Sequence, residues 1–249
     1  MVITGGTSGV GLASAMQFAA AGVPRMVLLG RNAERGAASA RAVAARYPTT
    51  QVEFMSCNAI DLADAERAVA LARERLGRID VLVNSTAVGY APELLHRTAA
   101  GDIAALLTQL ALAPMYMTRF VLPLMREQRG GVILNIASDA AKVPTPGETV
   151  LGAAMAAIVM FSRTLALEAK RDGIRVNVLT PSLIAGTPTS ERVQKEGFGA
   201  KLFAKAATLA HLGVAEPDDL AALIVFLASP QARRITGQVI SVNGGISVG

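Results

Sequence analysis

The 249-residue sequence contains no tryptophan, one cysteine and two histidines, and aromatic residues make up 4% of it. A single cysteine, Cys57, excludes an intrachain disulfide, which fits a reducing compartment. Neither His96 nor His211 has partners at the spacing of a metal site or a catalytic triad. We therefore predict no metal centre and interpret both histidines as ordinary surface residues.

Targeting and membrane-spanning patterns are also missing. The first residues, MVITGGTSGVG, have no basic stretch and are broken by glycines, unlike a signal peptide. The longest uncharged apolar run, Val150 to Phe161, is too short to cross a bilayer. No linker rich in proline, glycine or serine divides the chain. We therefore expect one domain over residues 1–249, in a soluble cytoplasmic protein without membrane contact.

The charge pattern disfavours a nucleic-acid partner. Lysine and arginine number 24 against 19 aspartate and glutamate, a net charge of +5, but the basic residues are scattered along the chain. With three tyrosines and seven phenylalanines, no set of aromatic residues is available for stacking bases. We expect no nucleic-acid binding, so a small molecule or another protein chain is the expected partner.

Short β-branched runs alternate with longer helical patterns along the whole chain. The hydrophobic residues, 52% of the total, are mostly of the kinds that fill parallel strands buried on both faces. The alternation predicts an α/β fold with a doubly wound parallel sheet of about seven strands and helices on both faces. The predicted strands are Val2–Ile3, Met26–Leu29, Val52–Met55, Val81–Val83, Val132–Ile136, Val176–Leu179 and Val239–Val242. The predicted helices are Gly11–Ala21, Ala33–Arg46, Leu62–Leu76, Asp102–Arg126, Leu151–Arg171 and Pro217–Leu227.

A glycine-rich loop, Thr4 to Gly11, follows the first strand and opens the first helix. Glycines allow a tight turn and a close approach of the backbone, while the first helical turn offers free N–H groups and a positive dipole to a pyrophosphate. This context predicts a dinucleotide-binding loop rather than a plain tight turn. Its candidate cofactor-binding residues are Gly5, Thr7, Ser8, Gly9, Val10 and Gly11.

The end of the second strand, Leu29-Gly30-Arg31, indicates which dinucleotide binds. An NAD site would place an acidic residue near this point for the ribose hydroxyls, whereas an arginine accommodates the 2′-phosphate of NADP. Arg31 therefore favours NADP(H) over NAD(H), if a dinucleotide binds at all. The alternative interpretation is that Arg31 only solvates the start of a helix.

Several further motifs occur in the order of one known family. The glycine loop has the pattern TGxxxGxG, and Leu82-Val83-Asn84, Arg175-Val176-Asn177-Val178 and Asn243-Gly244-Gly245 follow in turn. In these motifs the chain resembles the short-chain dehydrogenase/reductase family, which implies a single-domain Rossmann fold that binds a nicotinamide dinucleotide. The resemblance breaks at Ser85-Thr86-Ala87, where the family has Asn-Ala-Gly. It implies further cofactor contacts at Asn58 (the family's adenine-edge position), Ala59, Asn84, Pro181, Ile184 and Thr187.

The family's catalytic positions are where the sequence departs most. Ser138, at a predicted strand end, corresponds to the serine that polarises the substrate carbonyl. The family's Tyr-x-x-x-Lys pair would begin thirteen residues later, where this sequence reads Leu151-x-x-x-Met155. The family's relay asparagine corresponds to Leu110. Because leucine cannot transfer a proton and a thioether carries no charge, the resemblance predicts that the usual acid–base pair is missing.

Two questions remain open at this point. Tyr90 and Lys142 are candidate substitutes for the missing pair, but neither has its i, i+4 helical geometry. The apolar stripe on the predicted helix is either core packing or a subunit interface. The stripe consists of Leu151, Ala154, Met155, Ile158 and Val159.

The favoured hypothesis is a non-catalytic subunit of a homo- or hetero-oligomeric, tetramer-like dehydrogenase, assembled with itself or with an active relative of the family. The first alternative is an active NADP(H)-dependent carbonyl reductase or alcohol dehydrogenase that uses Ser138 and a non-standard proton donor. The second alternative is a dinucleotide-binding sensor. An oligomer is expected because exposed apolar stripes would leave a large apolar patch on a monomer.

Overall fold

The computed structural model describes residues 1–87, 89–193 and 197–249. Within these residues seven strands form one sheet, and every neighbouring pair of strands is parallel. The order across the sheet is β3-β2-β1-β4-β5-β6-β7. The strands are β1 (Val2–Thr4), β2 (Arg25–Gly30), β3 (Gln51–Ser56), β4 (Val81–Asn84), β5 (Gly131–Ile136), β6 (Ile174–Pro181) and β7 (Val239–Val242).

Helices follow the strands along the chain. Two of them begin at side-chain caps, because the side chains of Asn32 and Asp61 accept hydrogen bonds at 2.8 Å from the backbone N–H groups of Arg35 and Asp64. The α-helices of the described residues are α1 (Gly9–Ala20), α2 (Ala33–Arg46), α3 (Leu62–Leu76), α4 (Ala100–Glu127), α5 (Thr149–Ala169), α6 (Pro188–Val193), α7 (Gly197–Leu209) and α8 (Pro217–Ala228).

The sheet is buried on both faces, as the apolar runs of its strands predict. Successive residues of a strand point to opposite sides, so Val27 and Leu29 join one core while Met26 and Leu28 join the other. The first core lies between the sheet and helices α3, α4 and α5. The second lies between the sheet and helices α1, α2 and α8. The result is the single-domain, doubly wound Rossmann-like fold that the sequence predicts.

All seven predicted strands and all six predicted helices are confirmed, with ends that differ by a few residues. Helices α6 and α7, between β6 and β7, were not predicted. The first is one short helix that starts with Pro188, and the second contains Gly197 and Gly199, which weaken a helical pattern in the sequence. Both contribute side chains to the carboxyl edge of the sheet, beside the cleft described below.

The apolar stripe of α5 lies inside the monomer, so the core-packing interpretation holds and the stripe is not an interface. Met155 and Ile158 are buried, and Leu151 packs against them. Their neighbours include Leu110 of α4 and Val178 of β6. The apolar side chains that α5 exposes are different ones, Met160 and Leu167, which are 60% and 65% exposed.

Helices α4 and α5 are long and apolar enough, by length and composition, to span a membrane. The run from Val150 to Phe161 looked too short for this, but α5 continues as an apolar helix to Ala169. Burial explains the composition. In the most apolar 18-residue stretch of each helix, 39% of α4 and 50% of α5 is buried within the chain. Met117 and Val121 of α4 and Leu165 of α5 belong to one core with the strands. Both are therefore core helices of a soluble α/β fold.

Candidate functional site

A cleft of about 430 Å³ opens at the carboxyl ends of the central strands. It lies where β1 and β4 are neighbours, the point at which the strand order reverses direction. The chain leaves β1 and β4 towards opposite sides here, so a gap forms between the two connections. The loops after β1, β2, β3, β4, β5 and β6 and the start of α5 all contribute to its wall.

The glycine loop is shaped by close backbone contacts. Gly5 has φ of +75°, and a Cβ at this residue would lie 2.2 Å from the carbonyl oxygen of Ser85, so no other residue fits. The N–H of Gly5 donates to the carbonyl of Leu29 at 2.9 Å, which ties the loop to β2. Gly9 begins α1 with φ of +49° and faces Thr187 across the cleft. The loop thus presents a free helix amino end to the cleft.

A pair of arginines lies beside the glycine loop at one end of the cleft. Arg31 lies at the end of β2, and Arg35 lies one helical turn further along, in α2; both line the cleft and are exposed. The Arg35 Nε donates to the Thr7 hydroxyl at 3.2 Å, and the Ser39 hydroxyl donates to the Thr7 carbonyl at 3.1 Å. Arg35 was not identified from the sequence, although it lies four residues after Arg31, in the first turn of the helix predicted from Ala33.

The β3 end supplies the next part of the wall. Asn58 is exposed and Ala59 is buried, and both line the cleft. Cys57 beside them is buried, and burial raises the pKa of its thiol to about 11. The thiol is therefore protonated at neutral pH and is a poor nucleophile. Asp61 caps α3 and does not line the cleft.

Two of the residues predicted to contact the cofactor, Gly11 and Asn84, are not on the described wall of the cleft. Gly11 packs behind the loop, where a Cβ would lie 2.3 Å from the Gly5 carbonyl oxygen. Asn84 is buried, and its amide donates to the Asn135 side chain at 2.8 Å, while its own carbonyl oxygen has no hydrogen-bond partner among the described residues. Contact of these two residues with a cofactor stays a prediction. The predicted residues that do lie on the wall are Gly5, Thr7, Ser8, Gly9, Val10, Arg31, Asn58, Ala59, Pro181, Ile184 and Thr187.

The four positions of the catalytic frame meet on one side of the cleft. Ser138 follows β5, Leu151 and Met155 face it from α5, and Leu110 comes from α4. Leu110 and Met155 are 7% and 8% exposed, so this wall is apolar. The Ser138 hydroxyl oxygen accepts a hydrogen bond from the Ala140 N–H at 3.2 Å. Its own hydrogen is left to donate into the cleft. Leu151 and Met155 line the cleft without closing it.

Of the two candidate substitutes, Tyr90 lines the cleft and Lys142 does not. Tyr90 lines the cleft, and its hydroxyl donates to the Gly147 carbonyl at 2.9 Å. Burial raises the pKa of Tyr90, so the phenol holds its proton in that hydrogen bond. Lys142 does not line the cleft, because its ammonium donates to the Ser241 hydroxyl at 2.6 Å. Both side chains are thus engaged with other protein groups in this structure.

Glu148 is a second cleft residue that was not identified from the sequence. It lies three residues before Leu151, at the amino end of α5, and it is the one carboxyl group among the described residues of the wall. Burial is the cause that raises the pKa of Glu148, to about 7. A carboxyl group with a pKa near 7 can release and take up a proton at physiological pH. The signal available in the sequence was its spacing of about one helical turn from Leu151.

The chemistry of the wall fits a dinucleotide better than a metal ion. The Thr4 hydroxyl oxygen is buried beside the cleft and has no hydrogen-bond partner among the described residues, so a ligand group can satisfy it. The helix amino end at Gly9 suits a phosphate, and the two arginines suit a further anionic group. Across residues 1–87, 89–193 and 197–249, no cluster of three or more His, Cys, Asp or Glu can hold a metal.

Comparison with known proteins gives consistent results. The family model described as enoyl-(acyl carrier protein) reductase matches residues 5–247. The 3-oxoacyl-[acyl-carrier-protein] reductase FabG of Thermotoga maritima is 31% identical over 247 residues, which cover 99% of this chain and 97% of that protein. Levodione reductase superposes with a TM-score of 0.91 at 27% identity, over 98% of this chain and 95% of that one. An NADPH-bound short-chain oxidoreductase of Pseudomonas aeruginosa PAO1, described as containing an atypical catalytic center, superposes with a TM-score of 0.90 at 26% identity, over 100% and 96%.

The raised pKa of Glu148 predicts how stability depends on pH. Its folded pKa of about 7 lies above the ordinary value of 4.5, so the folded chain loses stability relative to the unfolded chain as pH rises from 4.5 through 7. Glu148→Gln cannot ionise, so we expect it to unfold at a higher temperature than the native chain at pH 8.5, with a smaller difference at pH 5.5. The gain is at most about 3 kcal/mol, and solvent screening of the partly exposed side chain reduces it.

Thermal unfolding followed by circular dichroism at the two pH values measures this difference. Glu168→Gln, which removes an exposed carboxylate from the same helix, is the matched control. A Glu148→Gln gain no larger at pH 8.5 than at pH 5.5 would show that the carboxyl group is fully solvated.

Proposed function

The chain belongs to the short-chain dehydrogenase/reductase family, and on this premise we propose that it is an NADP(H)-dependent reductase of carbonyl compounds that works without a tyrosine–lysine pair. The observation that carries the proposal is the open cleft, which continues from the glycine loop to Ser138. Leu151 and Met155 leave that space free, and a chain that had only to pack against a partner would gain stability by filling it. This is the first of the alternatives that the sequence left open.

The cofactor is proposed to be NADP(H) rather than NAD(H). Arg31 and Arg35 lie where a 2′-phosphate needs positive charge, and no carboxylate on the described wall stands near them to bind ribose hydroxyls instead. The Pseudomonas aeruginosa relative with NADPH bound supports the same choice. When bound, the reduced dinucleotide supplies a hydride. The protein's own residues must hold the substrate, polarise its carbonyl group and exclude water.

Ser138 and the apolar wall supply part of those requirements. The Ser138 hydroxyl accepts from Ala140 and can donate its hydrogen to a substrate oxygen, which polarises the carbonyl. Leu110, Leu151 and Met155 exclude water from the same space, so that hydrogen bond is stronger than it would be in water. The substrate side of the cleft is also lined by Pro92, Val193 and Phe203, which suits a ketone or aldehyde with apolar substituents.

Met155 should lower the affinity for the cofactor. In the family a lysine at this position hydrogen-bonds the nicotinamide ribose, and a thioether cannot replace an ammonium donor. The lost charged hydrogen bonds are worth about 1.5–3 kcal/mol. We therefore infer that the dinucleotide binds more weakly here than in relatives with the lysine.

A second candidate is a non-catalytic subunit that assembles with itself or with an active relative in the cytoplasm. Helix α5 favours it, because Met160 and Leu167 are exposed on one side of that helix and small residues, Ala153 and Ala157, lie beside them. Such a face marks an interaction site. An active reductase can use the same face to form an oligomer, so the two candidates differ in turnover rather than in assembly.

Turnover separates the two candidates. We expect the purified protein to bind NADPH and to reduce at least one member of a panel of apolar ketones and aldehydes, about 10²-fold more slowly than a relative with the tyrosine–lysine pair. Ser138→Ala should lower kcat about tenfold or more by removing the hydrogen bond to the substrate oxygen, with unchanged NADPH affinity. Loss of absorbance by NADPH gives the rates, and calorimetry gives the affinities.

Ser56→Ala, at an exposed serine at the end of β3 that does not line the cleft, is the control and should leave kcat nearly unchanged. NADPH binding without turnover of any carbonyl compound, together with co-purification of a relative that has an intact Tyr-x-x-x-Lys motif, would establish the non-catalytic subunit instead. NADPH binding with neither turnover nor a partner would favour the dinucleotide-binding sensor.

The position of Arg35 predicts that the protein binds NADPH more tightly than NADH. Arg35→Ala should weaken NADPH binding about tenfold or more and leave NADH binding nearly unchanged, because a guanidinium near the 2′-phosphate is worth about 1.5–3 kcal/mol. Arg41→Ala, an exposed residue of the same helix that does not line the cleft, is the control. Calorimetric titration with both dinucleotides makes the measurement. An equal loss of affinity for NADH would refute the 2′-phosphate assignment.

A further inference from the structure

Two titratable side chains line the substrate side of the described cleft wall, namely Tyr90 and Glu148. The Tyr90 proton is held in its hydrogen bond to the Gly147 carbonyl, and the pKa of the phenol is raised rather than lowered. That leaves Glu148. Its side chain enters the cleft close to the position from which the family's tyrosine acts, because it precedes Leu151 by about one helical turn.

The backbone that carries Glu148 is held in place from several sides. The Gly147 carbonyl accepts hydrogen bonds at 2.9 Å from both the Tyr90 hydroxyl and the Glu93 N–H. Gly147 itself has φ of +87°, and a Cβ there would lie 2.3 Å from the Phe198 ring. The Glu148 carbonyl accepts the first hydrogen bond of α5, from the N–H of Gly152. The backbone that bears the carboxyl group is thus fixed before a substrate arrives.

Burial, and no neighbouring charge, favours the protonated form of Glu148. Met155 puts no cation on the facing turn of α5, and Lys142 donates to Ser241 instead of lining the cleft. The arginines of the described wall lie at its dinucleotide end. The loop after β4 carries Tyr90, Glu93, His96 and Arg97, of which Tyr90 alone lines the described wall and Arg97 pairs with Glu93 at 4.0 Å; Lys201 and Lys205 of α7 are also off that wall. Burial without a cation raises the pKa of Glu148 to about 7, so much of it carries a proton at neutral pH.

We propose that Glu148 is the proton donor of this reductase and takes the role that the tyrosine has in relatives. The inference rests on the proposed function. The substrate carbon accepts a hydride from the reduced dinucleotide, and a C–H bond forms. The electron pair of the C=O π bond moves to the oxygen, which takes the proton of the Glu148 carboxyl group. The carbonyl compound is reduced to an alcohol, the dinucleotide is oxidised, and the Glu148 carboxylate regains a proton from water.

Tyr90 is then a positioning residue. Its hydroxyl fixes the Gly147 carbonyl, and through it the carboxyl group one residue later. Tyr90→Phe keeps the ring and removes that hydrogen bond. Its expected effect is a loss in kcat below tenfold, with the pH dependence of the native enzyme retained. A residue that donated the proton itself would instead abolish that dependence when removed.

The test is the pH profile of kcat for a carbonyl substrate at saturating NADPH. The native enzyme should lose activity as pH rises through about 7, because the carboxyl group loses its proton. Glu148→Gln should be about 10²-fold slower at pH 6, should lack that descending limb, and should bind NADPH with unchanged affinity. Glu168→Gln, on the exposed side of α5, should match the native enzyme throughout.

Two further measurements do not depend on the activity of the Glu148 variant alone. Infrared titration of the free protein should show a protonated-carboxyl band that disappears near pH 7 and is missing from Glu148→Gln. In Leu151→Tyr/Met155→Lys, which restores the family pair, adding Glu148→Gln should change kcat less than threefold, because the proton then comes from the tyrosine.

The outcomes separate the two proposals. Failure to bind NADPH would overturn the proposed function and the role of Glu148 with it. A different result is that the native protein binds NADPH and turns over while Glu148→Gln keeps the native rate and the native loss of activity above pH 7. That result would overturn the role of Glu148 alone. Loss of the limb in Tyr90→Phe, with Glu148→Gln unaffected, would move the proton donor to Tyr90.

Discussion

The contact between the glycine loop and the end of β4 determines which parts of the chain meet at the cleft. Gly5 lies so close to the Ser85 carbonyl that a single added carbon would collide with it. That approach is possible because β1 and β4 are neighbours at the point where the strand order reverses. It brings the amino end of α1, the end of β5 and the start of α5 to the edge of one cleft. The chemistry of the protein depends on which side chains those elements place there.

The replacement of a lysine by Met155 changes the electrostatics of that cleft more than its shape. A lysine ammonium would stabilise an ionised tyrosine and would equally hold a nearby carboxyl group in its charged form. Burial raises the pKa of Glu148 to about 7, so about half of this carboxyl group is protonated at neutral pH. In the proposed function, the apolar wall of Leu110, Leu151 and Met155 both lacks the usual acid–base pair and leaves the neutral carboxyl group available.

The fold followed from the sequence because its signals are local: apolar β-branched runs, helical spacing and a glycine loop at a strand end. The meeting of Ser138, Leu151, Met155 and Leu110 followed as well, because strand ends and helix spacing fix their places. Glu148 was not identified from the sequence, since its importance comes from burial, which its spacing from Leu151 does not reveal. Gly11 and Asn84 were predicted as cofactor contacts because they belong to motifs. In the structure they lie off the described cleft wall, where packing and a strand-to-strand hydrogen bond engage them.

The central claim is that this cleft still transfers hydride without the tyrosine–lysine pair. The most direct measurement is the fate of deuterium from NADPH labelled at C4 of the nicotinamide, followed by mass spectrometry of the alcohol formed from an apolar ketone. The account predicts one deuterium on the carbinol carbon, with the hydroxyl hydrogen derived from solvent. Saturation of the protein with labelled NADPH, and no deuterium in any product after prolonged incubation, would contradict it.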